Sequence, residues 1–297
     1  MNKSKKEFSG IFPYLVTPVD NSGNLKEDVL HDLVNHLISK GVHGLTPLGS
    51  TGEGAYFPWE VKKRVAEVVV KAAAGRVPVI AGVNEMTTYG AVRQAKETEG
   101  IGVDGILVVL PTYFPLAEQQ VAEHFRTVAR AVSCPIILYT NPQFAQWDFT
   151  IPMLLELSKE PNILYLKDAS GNTGKLLSIV DALHDRIKIF SASAHIPLFV
   201  FIMGGVGWMA GPACLIPEQC VALYTLAQEQ KWEKALELQK RLWVLNVAFQ
   251  RYSLAACVKA GLEMQGFPVG PPMLPQRQLD EKGEKVVSQI LMDIGAL

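Results

Sequence analysis

An α/β fold of the TIM (β/α)8 barrel type, with additional C-terminal helices, is what this sequence predicts. Three observations lead there. Eight short apolar runs alternate with helix-like segments. The runs are apolar throughout rather than at every second position, which implies burial on both faces, as in a parallel sheet covered by helices. From about residue 217 the pattern is helical only. An open doubly wound sheet is the competing arrangement, but no G-x-G-x-x-G opens a helix after the first run, so the barrel is preferred.

The elements follow in order. The first strand lies in GIFPYLVTPV (10–19), and residues 28–40 form a helix with apolar positions 29, 30, 33, 34, 37 and 38 on one face. HGLTPLG (43–49) is the second strand and 59–74 its helix; VPVIAGV (77–83) and 87–99 follow. DGILVVLP (104–111) with helix 118–132, PIILYTN (135–141) with 150–158, and NILYLKD (162–168) with 173–184 come next. IKIFSAS (187–193), helix 195–203 and GVGWMAG (205–211) complete the set. Gly41-Val42-His43-Gly44, Gly102-Val103-Asp104-Gly105 and Gly205-Val206-Gly207 each put a helix-ending glycine just before a strand. Residues 1–225 are read as the barrel, its active site at the C-terminal ends of the strands. Residues 226–297 are read as a helical extension packed on it, with the Pro-rich linker FPVGPPMLP inside.

Composition removes several functions. With 48% hydrophobic and 19% charged residues in a chain of 297, a large core is available and disorder is disfavoured. A net charge of −1 provides no footprint for nucleic acid. The start, MNKSKKEFSG, is basic but lacks an apolar signal core and reads as a loose tail. The longest uncharged run, IPLFVFIMGGVGWMAGPACLIP (196–217), invites a membrane span, but its prolines and glycines favour a buried helix, a turn and a buried strand. Cys134, Cys214, Cys220 and Cys257 have no C-x-x-C spacing and read as reduced core residues of a cytoplasmic protein. No H-E-x-x-H occurs, and no metal site is expected.

Barrel active sites lie at the C-terminal ends of the strands, so the residues closing each run repay reading. The sixth strand ends at Lys167. Such a lysine either emerges into solvent or pairs with Asp168, or it is held in a dry barrel mouth where desolvation lowers its pKa and frees the amine to attack a carbonyl. The fifth strand ends at Tyr139, a core tyrosine or a phenol that relays protons. The second strand runs into PLGSTGEG (47–54), which is a simple turn or a loop whose N–H groups cup an anion. An amine, a phenol and an anion cup in one mouth fit a small 2-keto acid. The cup takes the carboxylate, the lysine takes the ketone as a Schiff base, and the tyrosine moves protons.

These motifs resemble the dihydrodipicolinate synthase / N-acetylneuraminate lyase family, the pyruvate-type class I aldolases. The likeness runs over essentially the whole chain, through GIFPYLVTPVD, GLTPLGSTGE, PVIAGV, GVDGILVVLPTYF, CPIILYTNP and YLKDASGN. It implies that Lys167 is the Schiff-base lysine and Tyr139 the proton relay that also touches the substrate carboxylate. Ser50 and Thr51 are then the hydroxyl pair, with Thr51 and backbone N–H groups such as that of Gly52 holding the carboxylate. Tyr113 is the tyrosine that many relatives extend across a dimer interface, and Asn141 and Phe144 line the substrate site. A homodimer or homotetramer, small-molecule 2-keto acid and aldehyde substrates, and no cofactor beyond the imine itself are also implied.

The departures are equally informative. The synthase proper carries an arginine soon after its catalytic tyrosine, holding the distal carboxylate of the aldehyde. Here the segment reads Tyr139-Thr140-Asn141-Pro142-Gln143-Phe144, with Phe144 at that place, and resembles branches acting on aromatic or other neutral 2-keto acids. Trp147 and Phe144 are candidates for an apolar pocket, with core packing the alternative for Trp147. Positions that bind lysine in feedback-inhibited relatives read Gly54, Trp59 and Lys62, so no lysine feedback is expected. After the seventh strand, FSASAH lacks the Gly-Asp often found there. The expected activity is a Schiff-base lyase or aldolase on pyruvate or a longer 2-keto acid, by C–C bond chemistry or dehydration. Its rivals are the synthase itself, a phosphate-binding barrel enzyme using GSTGE as its cup, and a non-catalytic 2-keto-acid-binding protein.

Overall fold

The computed structural model describes residues 7–184, 186–193 and 195–297, with Gln143 and Phe144 at the backbone only. Among the described residues, seven parallel strands form one sheet: β1 (Gly10–Pro13), β2 (Ile80–Asn84), β3 (Gly105–Val109), β4 (Ile136–Thr140), β5 (Ile163–Asp168), β6 (Lys188–Ser191) and β7 (Gly207–Ala210). Their order is β1-β7-β6-β5-β4-β3-β2. The segment predicted as the second strand does not extend into one. It makes isolated parallel bridges, Tyr14 to Thr46 and Leu45 to Val79. Even so it completes the ring. Thr46 N–H donates to the Pro13 carbonyl at 2.9 Å on one side, and Leu45 N–H donates to the Pro78 carbonyl at 2.9 Å on the other. Pro47 has no N–H to continue the ladder, and Leu48 turns into the left-handed region with φ 62°.

Helices cover the outside: α1 (Glu27–Ser39), α2 (Trp59–Ala73), α3 (Thr88–Ile101), α4 (Glu118–Ala131), α5 (Pro142–Ala145), α6 (Ile151–Leu157), α7 (Thr173–Leu183) and α8 (Pro197–Ile202). The uncharged run 196–217 resolves into α8, β7 and the short α9 (Pro212–Leu215). No helix among the described residues is long and apolar enough to cross a membrane. The extension comprises α10 (Pro217–Gln228), α11 (Trp232–Arg251), α12 (Leu254–Met264) and α13 (Glu281–Ile294). All four cysteines are free.

The uniformly apolar runs serve two cores. Phe12, Leu107, Ile137, Tyr165, Phe190 and Met209 point into the barrel. Their neighbours Ile11, Ile106, Leu138, Leu166, Ile189 and Trp208 point out against the helices. This two-residue alternation also places the site. At the end of β5 it turns Lys167 inward and Asp168 outward. Tyr139 pairs with Lys167 across the β4–β5 ladder, so the phenol and the amine share the inner face. At the opposite end Phe8 stacks on Tyr165, ring centroids 5.2 Å apart, and its N–H donates to the Tyr165 hydroxyl at 2.9 Å, closing the floor of the barrel.

Candidate active site

A cavity of about 620 Å³ opens at the C-terminal ends of the strands, with Lys167, Tyr139, Ser50, Asn141 and Tyr14 in its wall. Lys167 is only 3% exposed. Burial drives its pKa well below the usual lysine value. Among the described residues no carboxylate pairs with its amine. The reading in which Asp168 neutralises Lys167 is therefore excluded by strand geometry. Asp168 faces the helical layer, where Lys175 Nζ lies 2.6 Å and His195 Nε2 3.4 Å from its carboxylate. Burial acts to raise the Asp168 pKa, but hydrogen bonds from His195, Lys175 and Ser170 outweigh it and keep the group ionised. What Nζ meets instead is aromatic: the Tyr14 ring centroid at 3.9 Å and the Tyr139 ring centroid at 4.2 Å.

Tyr139 is fully enclosed, and burial raises its pKa, partly offset by hydrogen bonds with Ser50 and Asn141. Its hydroxyl is 3.2 Å from Ser50 Oγ and 3.5 Å from Asn141 Nδ2. A phenol kept protonated and bonded to a hydroxyl at the cavity wall is suited to passing a proton. Ser50 is supplied by the loop that follows Leu48. The N–H groups of Ser50, Thr51 and Gly52 donate to no acceptor among the described residues, and of the three residues Ser50 borders the cavity, which leaves its N–H as a donor for an anion. The Thr51 side chain sits deeper than the sequence suggested. It is fully buried, its hydroxyl has no partner among the described residues, and it does not line the cavity. Gly52 likewise stands behind the wall, its carbonyl accepting from Thr17 Oγ1 at 2.7 Å.

Tyr113 lies outside the cavity, 78% exposed, edge-on to Phe114 at 4.9 Å. Phe144 falls in α5, directly after the Tyr139 segment, and its side chain lies outside the described residues. Trp147 does not line the cavity. It packs on Phe125 and Phe149 and donates to the Leu110 carbonyl at 2.8 Å, so it is a core residue. Trp59 and Lys62 are engaged within the fold, with Glu97 at 2.6 Å and Asn84 Oδ1 at 2.9 Å.

Three features were not read from the sequence. Tyr14 follows β1, and the rule that picked Lys167 and Tyr139 applies to it equally. Gly49 makes room for it, since a Cβ there would lie 2.6 Å from the Tyr14 ring. Asn84, at the end of β2, donates to the Leu48 carbonyl at 3.0 Å and so holds the turn before Ser50. The extension also builds wall: Asn246, Phe249 and Gln250 from α11, Leu254 from α12, and Gln276 from the linker. A buried clamp ties it to the hydroxyl loop. Glu53 pairs with Lys259 at 2.7 Å and accepts from Met273 N–H at 2.7 Å and Gln276 Nε2 at 2.9 Å. No local pattern signals contacts at such separations.

Comparison with known proteins agrees with this geometry. A family model described as the dihydrodipicolinate synthetase family matches residues 7–294. A 4-hydroxy-tetrahydrodipicolinate synthase of Methanosphaerula palustris is 32% identical over 96% of this chain and 98% of its own. An uncharacterized DapA-like lyase of Halobacterium salinarum is 33% identical over 97% of this chain and 94% of its own. Among solved structures, the chloride-inhibited dihydrodipicolinate synthase of Acinetobacter baumannii, complexed with pyruvate, superposes with a TM-score of 0.93 at 25% identity, covering 97% of this chain and 99% of that one. The chain therefore belongs to the dihydrodipicolinate synthetase family and is an enzyme of its lyase type.

Proposed function

We propose that this enzyme binds pyruvate, or a longer 2-keto acid, as an imine on Lys167, and joins or separates it from an uncharged or aromatic aldehyde, or eliminates water next to the imine. The observation that carries the reading is a buried amine with no counter-ion, facing a cavity beside a protonated phenol. A neutral amine is nucleophilic. Nζ attacks the keto carbon, forming a C–N bond, and the ketone oxygen leaves as water. The iminium then accepts the electrons of the adjacent C–H or C–C bond. Tyr139 carries protons between the reacting oxygen, Ser50 and the cavity. The free N–H of Ser50, which borders the cavity, receives the carboxylate. The iminium is itself the electron sink, so the chemistry needs no added cofactor.

The cavity wall supports an uncharged second substrate. Among the described residues lining it, Lys167 is the lone basic side chain, and the lone carboxylate, Glu53, is engaged by Lys259. A distal carboxylate in that space would be desolvated with nothing to pair it, a penalty of about several kcal/mol. Leu107, Val109, Pro111, Phe249 and Leu254 offer apolar surface instead. Tyr113 and Phe114, exposed together, suit a homodimer or homotetramer in which Tyr113 reaches a neighbouring site. Four free cysteines suit the cytoplasm.

Borohydride reduction in the presence of pyruvate tests the reading. The expected result is a stable mass increase on the peptide containing Lys167. An unchanged mass, or labelling of a different lysine, would overturn it.

A further inference from the structure

We infer that Tyr14 is a catalytic residue whose ring face stabilises the positive charge that forms on Lys167 during imine chemistry. This rests on the reading of Lys167 as the Schiff-base lysine and extends it to a residue to which the sequence reading gave no role.

Forming an iminium places a full positive charge at Nζ, in a space from which water is largely excluded. A buried cation needs compensation. The usual compensation, a carboxylate, is missing among the described residues. Asp168 is turned to the other face of β5 and bound to Lys175 and His195. Glu53 lines the same cavity, but Lys259 holds its carboxylate at 2.7 Å. Two aromatic rings remain, Tyr14 at 3.9 Å and Tyr139 at 4.2 Å from Nζ. Both distances fall within the range where the negative face of a ring attracts a cation, an attraction that grows as water is removed.

The two rings have different further duties. The Tyr139 hydroxyl is bonded to Ser50 and Asn141. The Tyr14 hydroxyl is buried and has no partner among the described residues. It therefore neither shuttles protons along a protein chain nor anchors the ring through a hydrogen bond. The ring is held in place by shape. It is 1% exposed, and Gly49 packs against it with no room for a side chain. What this arrangement presents to the amine is the face of the ring. An attraction of this kind acts on the ammonium, the protonated carbinolamine and the iminium, and not on the neutral amine. It therefore favours the charged states through which water is lost.

The test separates ring from hydroxyl. Pyruvate imine formation on the full-length enzyme is followed by the rate of borohydride-trapped adduct, in wild type, Tyr14→Phe, Tyr14→Leu, and variants with singly to triply fluorinated phenylalanine at position 14. Fluorine drains the ring face with little change of shape. Tyr14→Phe should stay within about threefold of wild type, and the rate should fall with each fluorine to roughly a tenth. Tyr14→Leu should lose roughly 10- to 30-fold. A rate indifferent to fluorination overturns the inference, as does a Tyr14→Phe variant as slow as the triply fluorinated one. If Tyr14→Leu fails to fold, the fluorinated series still decides. A wild type that traps on Lys167 while fluorination has no effect sinks the role of Tyr14 alone; a wild type that never traps sinks this inference and the proposed function together.

Discussion

Lys167 and Lys259 are both almost wholly out of water, at 3% and 1% exposure, and both have their pKa lowered by burial. At Lys259 the Glu53 carboxylate opposes that shift from 2.7 Å, and the Pro271 carbonyl accepts a hydrogen bond at 2.7 Å. At Lys167 only desolvation acts, and the neighbours are two rings. The first environment keeps an ammonium and uses it as a tie between the hydroxyl loop, α12 and the linker. The second discourages the ammonium at a side chain that faces a cavity. The chemistry of a buried lysine is thus decided by whether a carboxylate was folded in beside it.

Replacing each lysine by methionine should break the comparison in opposite ways. Lys167→Met removes the nucleophile and should reduce turnover to background, read as product formation from pyruvate and an aldehyde. Next in size is Tyr139→Phe, which deletes a hydroxyl and leaves the ring over Nζ; turnover should fall by roughly 10²–10⁴. Near-normal turnover in that variant would remove the phenol from the mechanism. Lys259→Met leaves Glu53 buried and unpaired, and should destabilise the fold by about 3–5 kcal/mol in denaturant titration. Adding Glu53→Gln to Lys259→Met should recover part of that loss, since two neutral groups replace one stranded charge. A Lys259→Met protein as stable as wild type would show that the clamp does not hold the loop.

The pH dependence of stability sharpens the contrast. The folded-state pKa of Lys167 lies below its unfolded value of 10.5. Between the two, the unfolded chain binds a proton that the folded chain does not, so this group's contribution to stability rises with pH through that window. Lys167→Met removes the effect. The variant should be more stable than wild type near neutral pH, with a gap that narrows as pH approaches 10.5; thermal melts across that range would show it. A gap that stays constant would mean that Lys167 is not desolvated. The smallest effect is expected from the residue that stands where the synthase proper carries its arginine. Phe144→Arg should raise kcat/KM for aspartate semialdehyde relative to an uncharged aldehyde by about tenfold. If the unmodified enzyme already prefers aspartate semialdehyde, the uncharged-substrate reading fails.

The legible part of the molecule was the part written in local pattern. Fully apolar runs marked the strands, and the rule that function sits at strand ends led to Lys167 and Tyr139. HGLTPLG misled because its apolar content is that of a strand, while Pro47 and the left-handed Leu48 permit only two bridging residues. Tyr14 escaped notice because a tyrosine inside GIFPYLVTPV reads as one more buried ring. Whether Asp168 or a ring faces Lys167 depends on strand alternation and on what the opposite strands supply. The Glu53–Lys259 clamp joins a loop carboxylate to a lysine within α12, two charges that nothing local distinguishes from surface residues. For Trp147 the sequence left a pocket and core packing open, and the ring belongs to the outer core.

That clamp also sets a schedule for the protein's birth. The loop bearing Ser50 leaves the ribosome early, but one of its fasteners, Gln276, lies 223 residues later. At ordinary elongation speeds of about 5–20 residues per second, roughly 11–45 seconds separate the two. For most of that interval, until Lys259 is made 206 residues after it, the Glu53 carboxylate has none of its three eventual partners. The barrel strands can be complete while the hydroxyl loop is still unfastened, so the last stretch of synthesis is when a polypeptide with the right shape gains its working site. A stalled or prematurely released chain would carry every motif by which the sequence is recognised, Lys167 and Tyr139 included, yet would lack the fastening that keeps Ser50 beside the phenol.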